Sequence, residues 1–546
     1  MTKRFVTLIF ILVIFCLGNF IQAETIRILP LESVNVGMKG YGLTDFGNGP
    51  EKFQFEVIGF SNGTMGMRYV LVRLFGGPSD YEGKNIIKEA RVIRGMSGSP
   101  IYTEDGTLIG AISFGGASDT EPYAGVTPIQ YTIGWRPNIL SDEKYLGAFF
   151  NNDISGKESL SEKAPVQKLT PGSAYSYALV WGDDFLGGTA TITAVDDGGP
   201  FLAQGHPSWG LGVTGLPVFK AKIFGIKPNL GMSSVIGDVD QNQNILGVVF
   251  FDGPFGHLGV FGEKPRSFNL NIRVKGVFPN DRIFNDHVAL LPPTFMSGVI
   301  GYTLEQKVDG IFDSYAGLNL KTRVAIDGLP EIYVTERYKG GIFGLYSLGL
   351  NAFGRVSRNL IEKGANLYFE LEAVPVLQNS KIVQADISPF RKQDESVSIR
   401  IVTEAISENK KWEHIVRVPF EEKMKSGRIF ISDGEAALDK LMEQNIGDER
   451  EFIKLVSEFG DSNNIFIYYL NEETFEFKSE SDRKPFEEWK QGKSSGKIRI
   501  LAKIKIPEDG YRISGLIEKK AVIASETDSK NESFKKKPWF RKIFIF

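Results

Sequence analysis

The chain has 546 residues, enough for about three to five domains, and its 42% hydrophobic and 12% aromatic content excludes a mostly disordered polypeptide. A formal net charge of −3 carries neither the basicity that points to nucleic acid nor the acidity of a solvating tail. Cys16 is the one cysteine and lies in the N-terminal apolar run, so a chain processed after that run has no disulfide framework, no thiolate nucleophile and no cysteine metal site.

Residues 1–23 read as a signal peptide. Lys3 and Arg4 form a positive start, Phe5 to Leu17 is nearly continuous apolar sequence, and Ala23 is a small residue before a cut. Ile21 fits poorly two residues ahead of Ala23, which leaves the cleavage point open, and Phe15 is bulky for a lipoprotein signal at Cys16. The alternative is an uncleaved anchor, for which the apolar run is short. An exported protein of the periplasm or cell envelope, or a secreted one, is expected.

Residues 24–150 carry short apolar-rich runs at Thr25–Ile28, Phe53–Ile58, Tyr69–Leu74 and Leu108–Phe114, separated by Gly, Asn, Pro and Asp clusters as in a small β-barrel or sandwich. Asn151–Lys163 reads as a polar linker. A second β-rich block, 165–275, contains Ala178–Trp181, Thr189–Val195, Val213–Lys222 and Gly247–Phe251. Residues 276–376 form a further β layer, with alternating strands at Leu318–Ile326 and Leu367–Val374 and a helical piece around Leu350–Lys363. In 380–525, Ser396–Thr403 and Glu413–Pro419 look like strands of an immunoglobulin-like sandwich. Gly434–Gln444 and Glu449–Phe459 there have apolar residues at helical spacing. Residues 526–546 form a polar linker and a tail, Lys535–Phe546, whose basic and aromatic residues suit contact with anionic lipid or a partner; a frayed solvated terminus is the plainer alternative.

The run Gly95-Met96-Ser97-Gly98-Ser99-Pro100 carries the chemistry. A serine hydroxyl attacks a carbonyl only when a base takes its proton and preorganised donors meet the oxyanion. The glycine two residues before Ser97 lets the amides of Gly95 and Ser97 turn toward one spot, and Gly98 permits close approach of another chain. Pro100–Tyr102 then enters a strand, followed by the Glu104-Asp105-Gly106 turn and a second strand. On spacing alone, a Gly/Ser-rich β-turn without chemistry fits equally well.

Residues 91–114, RVIRGMSGSPIYTEDGTLIGAISF, closely resemble the active-site segment of the stage IV sporulation protein B peptidases. The likeness takes in the serine loop, the strand after it, the Asp-Gly turn and the Leu-Ile-Gly-Ala strand, and extends weakly to Gly125–Ile129. A separate stretch, 187–210, GGTATITAVDDGGPFLAQGHPSWG, resembles the histidine segment of the same family, continued by Gly237-Asp238, Gly247 and Gly256–Gly262. The resemblance implies a chymotrypsin-like double barrel and a serine endopeptidase that needs no cofactor and takes a protein or peptide substrate. It implies Ser97 as nucleophile and His206 as general base. A third, orienting carboxylate would lie upstream of the serine, with Asp80 favoured over Glu82 in the loop Gly76–Asn85. The chain has four histidines, and His257, also preceded by glycine, is the second candidate base. Asp196 and Asp197 read as turn formers. In that family the histidine half comes first, whereas here Ser97 precedes His206; each closed barrel is its own unit, and triads occur in several chain orders. No PDZ-like module is recognisable.

The expected fold class is therefore mainly β: two small β-barrels of chymotrypsin-like peptidase type, a further β layer, and a C-terminal immunoglobulin-like module with appended helices. Nucleic acid is not an expected partner. The histidines have no spacing that suits zinc, Asp238–Asn242 lacks the glycine and closing glutamate of a calcium loop, and Gly37–Gly47 is no phosphate loop. Gly231-Met232-Ser233-Ser234 echoes the serine loop without its Gly-Ser-Pro continuation and reads as structural. The competing class of function is a catalytically inactive peptidase-like scaffold that binds an envelope protein or peptide. A hydrogen bond from Ser97 to His206 or His257 is the geometry that bears on this choice.

Overall fold

The computed structural model describes residues 26–134 and 169–520. It omits 308–316, 340–352, 354–364, 389–394, 420–427, 444–448, 471–497, 506–510 and shorter stretches of one to four residues. The expected signal peptide, the 151–163 linker, the C-terminal tail, most of the Asp238–Asn242 turn and all but Phe353 of the helical piece at 350–363 lie outside the described residues.

The protein is mainly β and contains two closed six-stranded antiparallel barrels. The first is built from β1 (Lys39–Asp45), β2 (Pro50–Asn62), β3 (Arg68–Phe75), β5 (Pro100–Thr103), β6 (Leu108–Gly115) and β7 (Tyr123–Pro128). Around the ring the order is β1-β2-β3-β7-β6-β5, and β5 returns to pair with β1. Strict alternation produces its core: Phe53, Phe55 and Val57 of β2 and Val70, Val72 and Leu74 of β3 point inward and are almost completely buried. A short helix α1 (Ile86–Ala90), capped by the Asn85 side chain on Lys88 N–H, and the two-residue strand β4 (Ile93–Arg94) sit between β3 and β5; α2 (Ile129–Gly134) follows β7. Of the strand expected at Thr25–Ile28, Thr25 lies outside the described residues, and the rest makes only a bridge from Ile28 to Leu108.

The second barrel uses β8 (Ala174–Gly182), β9 (Phe185–Val195), β10 (Pro200–Ala203), β11 (Gly212–Lys227), β13 (Gly247–Gly253) and β14 (Gly256–Phe261). The ring runs β8-β9-β10-β14-β13-β11 and closes through β11 on β8. The far end of β11 leaves the barrel and forms a ribbon with β12 (Ser233–Val239), which pairs in parallel with β4 of the serine segment, Ser233 opposite Ile93. β15 (Ser267–Lys275) precedes β16 (Arg282–Ala289), which pairs with β8 and carries the sheet beyond the barrel.

α3 (Pro293–Gln306) lies where strands are expected. Pro293 occupies its first turn, where the missing N–H costs nothing. Met296, Val299, Ile300 and Leu304 are buried, and up to its last two residues, Glu305 and Gln306, the helix holds no charged or amide side chain, so no polar stripe marks it as a helix.

Both barrels, β16 and α3 belong to one compact unit, which runs to Arg273 and takes in Arg282–Lys307 and Phe353–Tyr368; the second unit holds the remainder. β17 (Gly317–Ile326) forms a hairpin with β18 (Ile332–Lys339), and β19 (Ala365–Val374) follows in sequence. Two four-stranded sheets then make the C-terminal sandwich. One contains β20 (Gln378–Ile387), β21 (Ser396–Ala405), β22 (Lys411–Pro419) and β26 (Tyr511–Ser514). The other contains β23 (Arg428–Asp433), β24 (Asn464–Leu470), β25 (Ile498–Lys505) and β27 (Leu516–Lys520). Ile399, Ile401 and Val418 of the first share one buried cluster with Ile431, Ile465 and Ile467 of the second. The helices expected there are α4 (Gly434–Glu443) and α5 (Glu449–Phe459); Phe459 of α5 packs edge-on against Phe466, ring centroids 5.1 Å apart.

Candidate active site

The serine loop joins β4 to β5. Gly95 at φ +115° and Gly98 at φ +96° occupy backbone conformations that L side chains rarely adopt. Two turn bonds shape the loop, Met96 N–H to Ile93 O (3.0 Å) and Ser99 N–H to Met96 O (2.9 Å), and Met96 plugs the first barrel's core. On the first-barrel side, Gly98 N–H donates to Ile112 O (2.8 Å) and Ile112 N–H to Ser99 O (3.0 Å). On the other side the loop is bonded to β9 of the second barrel. Thr191 N–H donates to Ser97 O (2.8 Å), Thr191 Oγ1 to Gly95 O (2.8 Å) and Thr193 Oγ1 to Gly98 O (2.7 Å). The approach is so close that a Cβ on Gly98 would lie 2.0 Å from Thr191 O.

The histidine segment is held reciprocally. β10 ends at Ala203, and Gln204 turns the chain at φ +56°, with its N–H on Thr191 O (3.1 Å). A non-glycine residue in this region carries strain of about 1–3 kcal/mol. Gly205 O accepts from Ser113 Oγ and Thr127 Oγ1 of the first barrel, both at 2.7 Å, and Gly205 N–H donates to Ser97 Oγ (3.3 Å). The two segments singled out in the sequence thus meet face to face across 108 residues of chain.

Ser97 and His206 line one cavity of about 540 Å³, together with Gly95 and Gln204. His206 Nδ1 lies 2.7 Å from Pro207 O. A carbonyl oxygen can only accept, so Nδ1 carries the proton and Nε2 keeps its lone pair. Burial holds the His206 imidazole below its ordinary pKa, against the opposing hydrogen bond to Pro207, which leaves it neutral at pH 7. Ser97 Oγ and His206 make no hydrogen bond to each other among the described residues; Ser97 Oγ accepts from Gly205 N–H instead.

Asp80 is engaged in its own loop. Its Oδ1 accepts from Glu82 N–H (2.9 Å) and Lys84 N–H (2.8 Å), an Asx turn, and Glu82 pairs with Lys84 Nζ at 2.6 Å. Neither carboxylate is hydrogen-bonded to His206. The orienting contact on His206 is the Pro207 carbonyl, a backbone group that no spacing of acidic residues reveals.

His257 is completely buried and is not bonded to Ser97. Its Nδ1 is 2.7 Å from Tyr175 OH, and its Nε2 is 2.9 Å from Ser208 Oγ and 3.5 Å from Asp252 Oδ1. Asp252 accepts backbone N–H groups from Ser208 and Trp209, both at 2.9 Å, and from Leu211 at 3.2 Å. Burial pushes the Asp252 carboxyl up, but the hydrogen bond and charge of His257 and these N–H groups outweigh it and hold the carboxyl at about 2. Ser208 Oγ is also 2.6 Å from Tyr177 OH and 3.0 Å from Gln204 Oε1, and Gln204 itself lines the cavity. A polar chain therefore links the buried Asp252–His257 pair to the cavity wall. Sequence reasoning missed Gln204, Ser208 and Asp252; Asp252-Gly253-Pro254 carries only the signature of a turn.

No protein-family model, no curated protein and no solved structure matches the chain. The site is therefore argued from its own geometry. Beside the serine loop, β9 has β8 along one edge, while β10 covers the other edge only from Ile192 onward. Thr191 N–H faces Ser97 O on that second edge, so by strand alternation the N–H and C=O of Thr189 point the same way, into the cavity that Gly188, Thr189 and Ala190 line.

The remaining histidines lie elsewhere. His287 stacks on Trp181, ring centroids 5.4 Å apart, and His414 is on β22. Among the described residues no three His, Cys, Asp or Glu side chains are grouped to hold a metal ion, and no helix is long and apolar enough to cross a membrane. The Gly231–Ser234 stretch does two structural jobs: Met232 lines the cavity, and Ser233-Ser234 pair with β4.

Proposed function

We propose that the chain is an exported serine endopeptidase that hydrolyses peptide bonds through an acyl-enzyme at Ser97. The observation that carries this reading is the meeting of two sequence-distant segments, each resembling one half of a stage IV sporulation protein B peptidase site, in one cavity with Gly205 N–H on Ser97 Oγ. Export rests on the character of residues 1–23.

In this mechanism a substrate strand adds to the open edge of β9 at Thr189. Ser97 Oγ attacks the scissile carbonyl carbon while His206 Nε2 takes its proton. The Pro207 carbonyl keeps Nδ1–H in place and stabilises the imidazolium that forms. The amides of Gly95 and Ser97 are assigned to the oxyanion of the tetrahedral intermediate. The imidazolium then protonates the leaving amine, and water attacks the ester by the reverse sequence. His206 has only to close on Ser97 Oγ, a contact commonly loose before substrate binds.

The absence of a hydrogen bond between Ser97 and His206, and the engagement of Asp80 in its own loop, favour the second reading, an inactive scaffold that binds an extended peptide in the same cavity. A fluorophosphonate probe separates the two. The peptidase reading expects labelling of the full-length wild type that disappears in Ser97→Ala and falls at least a hundredfold in His206→Ala. A folded wild type that takes up no probe would establish the scaffold reading instead.

A further inference from the structure

Among the described residues that line the cavity, Arg94 is the only charged one, with no aspartate or glutamate. Arg94 sits on β4, three residues before Ser97, its backbone opposite Ser234 of β12. Its side chain is exposed, and it has no ion pair or hydrogen-bonded acid among the described residues. The neighbouring Arg91 differs. It takes a positive φ and directs its guanidinium to the carbonyls of Asp119 and Asn229, tying loops together. Asp119, next to the cavity wall, is also occupied: its Oδ2 accepts from Gly116 N–H at 3.0 Å. The His206 imidazole is held neutral by burial. The cavity therefore presents one uncompensated cation.

Its walls are otherwise uncharged and include a large apolar stretch. Tyr69 and Phe114 meet edge to face with centroids 5.1 Å apart, and Phe114 and Met232, 44% and 37% exposed, present large apolar surfaces to the space. A planar guanidinium beside aromatic walls suits a carboxylate next to a bulky apolar group, since the fork pairs with both carboxylate oxygens while the rings exclude water. A lysine or arginine side chain in the same place would meet no counter-ion.

We infer that this cavity selects extended peptide segments in which a glutamate or aspartate adjoins an aromatic or large aliphatic residue, and that Arg94 is the specificity-determining residue. This rests on the peptide-handling reading of the cavity and holds whether the site cleaves or only binds.

The test uses the full-length chain with Ser97→Ala, so that bound peptide is not consumed. Fluorescein-labelled hexapeptides containing Phe-Glu, Phe-Gln or Phe-Lys are titrated by fluorescence anisotropy at low and high salt. The Phe-Glu peptide is expected to bind about tenfold tighter than Phe-Gln at low salt, an advantage that shrinks as salt rises. Arg94→Gln on the same background should erase the preference, and Arg94→Glu should transfer it to Phe-Lys. Equal affinities for Glu and Gln, a preference that survives Arg94→Gln, or no binding of any peptide would each overturn the inference. Fluorophosphonate labelling of the wild type separates this outcome from that of the peptidase reading. Labelling without an acidic preference sinks the specificity alone, whereas an acidic preference without labelling sinks catalysis alone.

Discussion

Gly98→Ala is the sharpest probe of the site's construction. Gly98 lies where the serine loop crosses β9, and an added methyl would approach Thr191 O to 2.0 Å, Gln204 N to 2.4 Å and Gln204 Cα to 2.8 Å. All three are backbone atoms of the second barrel, so no side chain can swing aside. Gly106 is the matched control. Its φ of +83° is close to the +96° of Gly98, but its Cβ would find nothing nearer than Tyr41 OH at 3.8 Å. Both alanines carry the cost of a positive φ, about 1–2 kcal/mol. Gly98→Ala adds overpacking of about 1–3 kcal/mol. It also strains the bonds Thr193 Oγ1–Gly98 O and Thr191 N–Ser97 O, worth about 1 kcal/mol each. The difference between the variants is thus about 2–5 kcal/mol. At about 2–4 °C per kcal/mol for a unit of this size, Gly98→Ala should melt roughly 4–20 °C below Gly106→Ala. Thermal unfolding followed by near-UV circular dichroism measures it, and fluorophosphonate labelling of Ser97 should fall in Gly98→Ala alone. Equal melting temperatures would refute the close docking of the serine loop on β9.

Two further outcomes concern pH. Because burial lowers the His206 pKa, the rate of Ser97 labelling should rise with pH to a plateau whose midpoint lies below the ordinary histidine value of about 6.5; a midpoint above it would contradict the buried, neutral imidazole. Asp252, held at about 2 in the folded state against about 3.9 in an unfolded chain, contributes roughly 2 kcal/mol at neutral pH. That contribution is complete above the unfolded value and is lost as pH falls from about 4 through 2. Asp252→Asn should therefore lower the urea midpoint at pH 7 and flatten its decline between pH 4 and 2; an unchanged decline would show that Asp252 is not the group responsible.

Most of the β framework was legible in the chain. The two-residue alternation of Phe53–Phe55–Val57 and Val70–Val72–Leu74 marks strands with one buried face, and the helical spacing in Glu449–Phe459 marks α5, because each pattern is local. α3 was not legible, since a helix apolar on most sides has no stripe to read. Ser97 and His206 were singled out by the resemblance of their segments to the stage IV sporulation protein B peptidases, whereas the glycines alone marked only a tight loop and a close crossing.

The sequence by itself determined the strand-rich character, the special backbone at Gly95 and Gly98, and the residue types able to act as nucleophile and base. Only the tertiary structure decided their partners. Closing two barrels side by side brings Gly205 N–H to Ser97 Oγ and turns Asp80 into its own loop. It leaves a backbone carbonyl on His206 and buries Asp252 with His257 behind Gln204 and Ser208. The physical reason is that hydrogen-bond partners are chosen by distance in space. Backbone groups, identical in every residue, become specific only when a fold aims them.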